Sequence, residues 1–131
     1  MKKIIKTDEE WKKILTEEEF LVTRRKGTET PFEGNQFENA KNGSFKCKCC
    51  DTLLFNSDTK YDSGSGWPSF YDKISNEIIT EVEDNSHGIT RTEILCSICD
   101  SHLGHLFNDG PEPTGQRYCI NALSLKFEES E

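Results

Sequence analysis

The sequence predicts a mainly β domain with short N-terminal helices and a structural metal clamp, on three observations. Two helix-capping signatures open the chain. After Gly27, turn formers (Gly, Asn, Asp, Ser, Pro) punctuate short runs of alternating apolar and polar residues. Two C-x-x-C pairs, CKCC at 47–50 and CSIC at 96–99, lie far apart along the chain. With 131 residues, the chain is long enough for one modest core and too short for two, so residues 1–131 are expected to form a single domain.

The elements follow in order. Thr7 with Glu10 fits a capping box, and Trp11, Ile14 and Leu15 then share a helix face, which predicts a helix over 8–15. Thr16 with Glu19 repeats the signature and predicts a second short helix that carries Phe20 and Leu21 inward and stops near Gly27. Strands are expected at 44–48, 52–56, 78–83, 88–96, 104–107 and 117–127, in the antiparallel pattern.

Charge narrows the function classes. The 16 Lys and Arg against 24 Asp and Glu leave a formal charge of −8, which repels phosphate backbones, and no basic tract offsets it. Nucleic-acid binding is disfavoured. MKKIIKTDEEW lacks the apolar run of a signal peptide, and no stretch approaches the roughly 20 apolar residues of a membrane span. A cytoplasmic location without membrane attachment is expected, where paired cysteines serve as metal ligands or redox groups.

Cys47-x-x-Cys50 and Cys96-x-x-Cys99 each suit a knuckle turn with both thiolates on one metal, and two knuckles complete the tetrahedron of soft ligands that zinc prefers. Four thiolates leave no open position, so the zinc would hold the fold and take no part in chemistry. The rival readings are a redox dithiol, which normally stands as one pair after a strand, and buried thiols without metal. Cys49 lies within the first knuckle, and Cys47-x-Cys49 is too tight for the common geometry, so Cys49 is read as a bystander or a reserve thiol.

The sixth cysteine stands apart. In GQRYCINALSLKF, strand alternation places Cys119 and Asn121 on one face, with Arg117 on the same side, where a cation favours the thiolate. A lone cysteine is more often a small buried hydrophobe. Cys119 gains weight from HLGHLF, just beyond the second knuckle. His102 and His105, three apart, face opposite ways in a regular strand, but a bulge or turn at Gly104 brings both rings to one pocket. His87, in NSHG, reads as a structural turn residue. In YDSGSGWPSFYD, Trp67 and Phe70 offer an apolar surface on a glycine-rich loop, or else plug the core. Cysteine beside histidine fits acyl transfer or thiol redox chemistry, and the residues alone leave both open.

Taken together, GTETPFEG, the first C-x-x-C, YDSGSGWPSF, SHGITRTE and the run from the second C-x-x-C through HLGHLFNDGPEPTGQRYCINALSL resemble the methionine-R-sulfoxide reductases, the B type of peptide methionine sulfoxide reductase. The resemblance runs from about Thr16 to Phe127. It implies two antiparallel β-sheets, a structural zinc on Cys47, Cys50, Cys96 and Cys99, and a shallow active site away from the metal. It further implies that Cys119 attacks the sulfoxide sulfur and becomes a sulfenic acid as methionine leaves. His102, His105 and Asn121 match positions that orient substrate and assist protonation, with His105 the favoured acid. Trp67 matches the indole that packs on the substrate methyl, and Arg117 sits where the family places a residue that helps the thiolate; Trp67, Phe70 and Arg117 are the expected substrate-binding residues. The implied partners are oxidised methionine, free or in proteins, and thioredoxin or another thiol reductant, in the repair of oxidative damage.

One departure matters. Ser65 stands where many members of that family carry a resolving cysteine, so recycling falls to Cys49, to direct attack by a reductant, or to an unrecognised segment. Thr30, often proline in the family, matters less. The competing readings are a noncatalytic zinc-stabilised β module that binds a partner through the Trp67 loop, and a cysteine hydrolase using Cys119 and His105.

Overall fold

The structure is a computed structural model that describes residues 3–25, 27, 42–61, 63–64, 67–85, 88 and 90–129. Both predicted capping boxes are formed. The Glu10 amide donates to Thr7 Oγ1 (3.2 Å) while the Thr7 amide donates to Glu10 Oε1 (3.0 Å), opening α1 (Asp8–Ile14). Thr16 and Glu19 do the same for α2 (Glu17–Arg24). Each box satisfies two of the amides that a helix start leaves without partners.

Trp11, Leu15 and Phe20 enter the core as expected, but Leu21 does not and stays 49% exposed. The buried residues of α2 are Phe20, Val22 and Thr23, and Leu21, between the first two, is turned toward solvent.

Nine strands pair antiparallel among the described residues: β1 (Gly43–Cys47), β2 (Leu53–Asn56), β3 (Lys60–Tyr61), β4 (Ser69–Phe70), β5 (Ile79–Asp84), β6 (Arg91–Cys96), β7 (His102–Phe107), β8 (Arg117–Ile120) and β9 (Leu125–Glu129). They form a three-stranded sheet, β2-β1-β9, and a six-stranded sheet, β3-β4-β8-β7-β6-β5.

The expected single strand over 117–127 is broken. It leaves the large sheet after Ile120, makes a tight turn over Ala122–Ser124 and enters the small sheet as β9. Neighbouring backbone pays for the crossing in hydrogen bonds: the Asn121 amide donates to Leu103 O (2.8 Å), and Ser124 Oγ donates to His102 O (2.8 Å). The strand expected over 88–96 begins only at Arg91, and the one expected at 104 begins at His102.

An aromatic core lies between the sheets. Phe55 stacks on Phe70 (4.4 Å between centroids), and Phe45 meets Phe70 edge-on at 5.0 Å. Tyr118, Ile120, Leu54, Leu103 and Leu125 are buried around them.

Candidate active site and cysteine cluster

The two cysteine knuckles share one geometry. At the end of β1 the Cys47 amide donates to Thr52 O and the Asp51 amide to Cys47 O; at the end of β6 the Cys96 amide donates to Ser101 O and the Asp100 amide to Cys96 O, all at 2.8–2.9 Å. Asp51 (φ 65°) and Asp100 (φ 62°) turn each knuckle through the left-handed region that aspartate tolerates better than most residues.

Cys47, Cys50, Cys96 and Cys99 thereby gather their Sγ atoms within 4.8 Å of one another, in a group that could hold a metal ion. Two of the Sγ separations are 3.6 Å, close to the roughly 3.8 Å edge of a tetrahedron with metal–sulfur bonds of about 2.3 Å. Hydrogen bonding from Cys47 above all holds the Cys50 thiol well below its ordinary range, while Cys49 and then Cys50 push Cys47 upward. Cys49 is buried beside the cluster, within reach of Cys47, Cys99, Thr23 and Ser101, but outside the set of four. Helix α2 braces both knuckles through Arg24 Nη2, which donates to Cys99 O (2.7 Å), and Glu19, which meets Lys48 at 3.1 Å.

A second site lies on the outer face of the large sheet. Register places Tyr61, Ser69, Cys119, His105 and Glu93 in one row across β3, β4, β8, β7 and β6, so their side chains share a face. A cleft of about 330 Å³ opens over this row, lined by Trp67, Arg91, Gly104, His105, Phe107, Arg117, Cys119 and Asn121. Gly104 is dictated by crowding: a Cβ there would collide with the Cys119 carbonyl.

The histidines come together through a bulge. Glu93 pairs with His105 and Ile94 with Gly104, but Leu95 pairs with His102, leaving Leu103 without a partner on β6, next to Gly104. The His102 and His105 rings meet edge-to-face at 5.7 Å. They differ in access. His102 is buried, its Nδ1 2.8 Å from Glu93 Oε2, and lies outside the cleft lining; His105 lines the cleft, with Nε2 2.9 Å from Asp84 Oδ2.

Arg117 shares the cleft with Cys119, but its guanidinium forks onto Asp109 (2.8 and 3.2 Å) and lies 4.3 Å over the Phe107 ring. The Arg117 fork holds the Asp109 carboxyl below its usual range, and Asp109 in turn raises Arg117. Trp67 is half-buried at the rim, and its carbonyl accepts from Ser69 Oγ (3.1 Å).

Phe70 is not in the cleft. Ser69 faces Cys119 across β4–β8, so the next residue, opposite Tyr118, points into the core, where Phe70 is fully buried. The structure places that aromatic where the core-plug reading puts it, away from the cleft lining. Ser65, His87 and Thr30 lie outside the described residues.

Sequence reasoning passed over Phe107, Asp84, Arg91 and Asp109. Phe107 was within reach of strand periodicity, two residues past His105. Asp84 and Arg91 become neighbours only through the β5–β6 register, in which they pair directly.

Residues 15–129 of this chain match the SelR domain. The chain belongs to the SelR family. Relatives of this SelR chain include proteins named peptide methionine sulfoxide reductase MsrB. The one from Leptospira interrogans serogroup Icterohaemorrhagiae serovar Lai is 56% identical over 94% of this chain and 94% of its own length. The one from Methanosarcina mazei is also 56% identical, over 98% of this chain and 92% of its own. Among solved structures, the Mis18 "Yippee-like" domain aligns with the SelR chain at a TM-score of 0.54 and 17% identity, over 70% of this chain and 99% of that one, a likeness of fold. No helix among the described residues is long and apolar enough to cross a membrane.

Proposed function

We propose that this SelR chain is a thiol-dependent reductase of the R epimer of methionine sulfoxide, free or in proteins, with Cys119 as nucleophile. The observation that carries the reading is the pairing of Cys119 with His105 in a cleft walled by Trp67 and Phe107. Relatives named peptide methionine sulfoxide reductase, matching nearly the whole chain, support it.

The chemistry follows from what a sulfoxide needs. Its oxygen leaves poorly until protonated, and histidine is the side chain that exchanges protons near neutral pH. Cys119 Sγ attacks the sulfoxide sulfur, His105 delivers a proton to the oxygen, and the oxygen ends on Cys119 as a sulfenic acid while the thioether is released. Two reductant thiols then return Cys119 to the thiol, leaving a disulfide and water. Trp67 receives the substrate methyl, which selects the epimer able to offer its oxygen to His105 at the same time. Asn121 and Arg117 complete the polar side of the cleft, and His102 supports His105 from behind. Thioredoxin or another thiol of a reducing cytoplasm fits this recycling. The four-cysteine cluster is read as a structural zinc site: when bound, zinc cross-links the ends of β1 and β6, and no step of the reaction passes through it. The chain is read as one domain over residues 1–131.

The test is a dithiol-driven assay with each sulfoxide epimer, followed by one turnover without reductant and trapping by dimedone. Turnover of the R epimer alone, its loss in Cys119→Ser with metal content intact, and a dimedone adduct on Cys119 are expected. Full activity of Cys119→Ser would sink the mechanism, and a Cys49–Cys119 disulfide would overturn direct recycling.

A further inference from the structure

Asp84 closes β5 directly opposite Arg91 of β6, at the edge of the cleft. Its Oδ2 lies 3.3 Å from Arg91 Nη2 and 2.9 Å from His105 Nε2, and the three side chains are 17%, 24% and 13% exposed. A carboxylate paired with a guanidinium accepts hydrogen bonds and donates none, so the hydrogen between Asp84 and His105 belongs to Nε2. The other ring nitrogen, Nδ1, makes no hydrogen bond among the described residues. His102, three residues earlier, is engaged the opposite way round, with Nδ1 committed to Glu93. The two neighbouring rings are therefore held through different nitrogens by different carboxylates.

From this geometry we infer that Asp84 is a positioning residue for the reaction: it fixes His105 as the Nε2–H tautomer and leaves Nδ1 as the atom that transfers the proton to the sulfoxide oxygen. The inference rests on the reading of His105 as the proton donor. In the transfer, protonated His105 releases its Nδ1 proton and becomes neutral, and the Nε2–H···Asp84 bond survives throughout. Arg91 shares Asp84, so the carboxylate is anchored from β6 and the ring cannot swing it out of place. A carboxylate that holds an imidazole in one tautomer without itself taking the proton is the logic of hydrolytic triads, carried over here to oxygen transfer.

Two measurements test this on the full-length, metal-loaded protein. Nitrogen-15 NMR of labelled histidine in the native protein should show neutral His105 as the Nε2–H form, and Asp84→Ala should show a mixture of tautomers. In steady-state assays Asp84→Ala should lower kcat about tenfold or more, part of the ~10²–10⁴-fold that a positioned acid contributes, with KM changed less than about twofold. An Nδ1–H tautomer in the native protein would overturn the assignment, as would unchanged kcat in Asp84→Ala. If the native protein reduces neither epimer, the functional reading fails, while the tautomer spectrum still decides the role of Asp84 toward His105.

Discussion

His105 and Cys119 stand directly opposite each other across the β7–β8 pair, with Ser69 flanking Cys119 on the other side. Residues paired on adjacent strands are separated by roughly the 4.8 Å strand spacing, which on the proposed mechanism leaves room for one sulfoxide group above the nucleophile and its proton donor. Both are held by ladder hydrogen bonds in the middle of a six-stranded sheet, so little ordering is left to do when substrate arrives.

Removing one thiolate from the cluster should unfasten the fold. Cys96→Ala is expected to lose bound metal and cooperative unfolding together, because the binding free energy of a structural metal is folding free energy. Metal analysis with calorimetry checks this; a metal-free protein with the melting temperature of the native one would contradict it.

Phe70 should behave as a core residue and not as a substrate contact. Phe70→Ala is expected to cost about 3–5 kcal/mol in denaturant unfolding, since the ring is fully buried against Phe45 and Phe55. Phe70→Leu, which keeps most of the volume, should leave KM for the sulfoxide unchanged. A raised KM with unaltered stability would restore Phe70 to the site.

The Asp109–Arg117 pair gives stability a defined acid limb. Arg117 lowers the Asp109 carboxyl below its ordinary 3.8 in the folded chain. A group with a depressed folded value contributes stability that is fully present above its unfolded value and is lost as pH falls through the folded one. The gap in melting temperature between the native protein and Asp109→Asn should therefore be constant from pH 7 to about 5 and close below about 4. The pair is exposed on the Asp109 side, so the gap is small. A gap that persists unchanged to pH 2 would show that Asp109 acts by something other than its charge.

Local physics accounts for what was legible in the residues themselves. Two capping boxes set both helix starts, because Thr and Glu three residues apart satisfy helix-end amides whatever surrounds them. The cysteine spacing marked the four residues of the cluster, because short-range spacing fixes which side chains can share a ligand, and the family resemblance singled out Cys119 and His105, which the structure brings to one cleft. Tertiary structure decided the rest. Whether 117–127 was one strand or two depended on Leu103 and His102 carbonyls waiting beside Asn121 and Ser124, partners about twenty residues distant in sequence. Likewise, Phe70 went to the core and Ser69 to the position opposite Cys119 because pairing with β8 set the parity of a two-residue strand. Asp84 reached His105 only through the β5–β6 and β6–β7 registers taken together. Periodicity tells which residues alternate; only the partner strand tells which of the two faces meets the substrate.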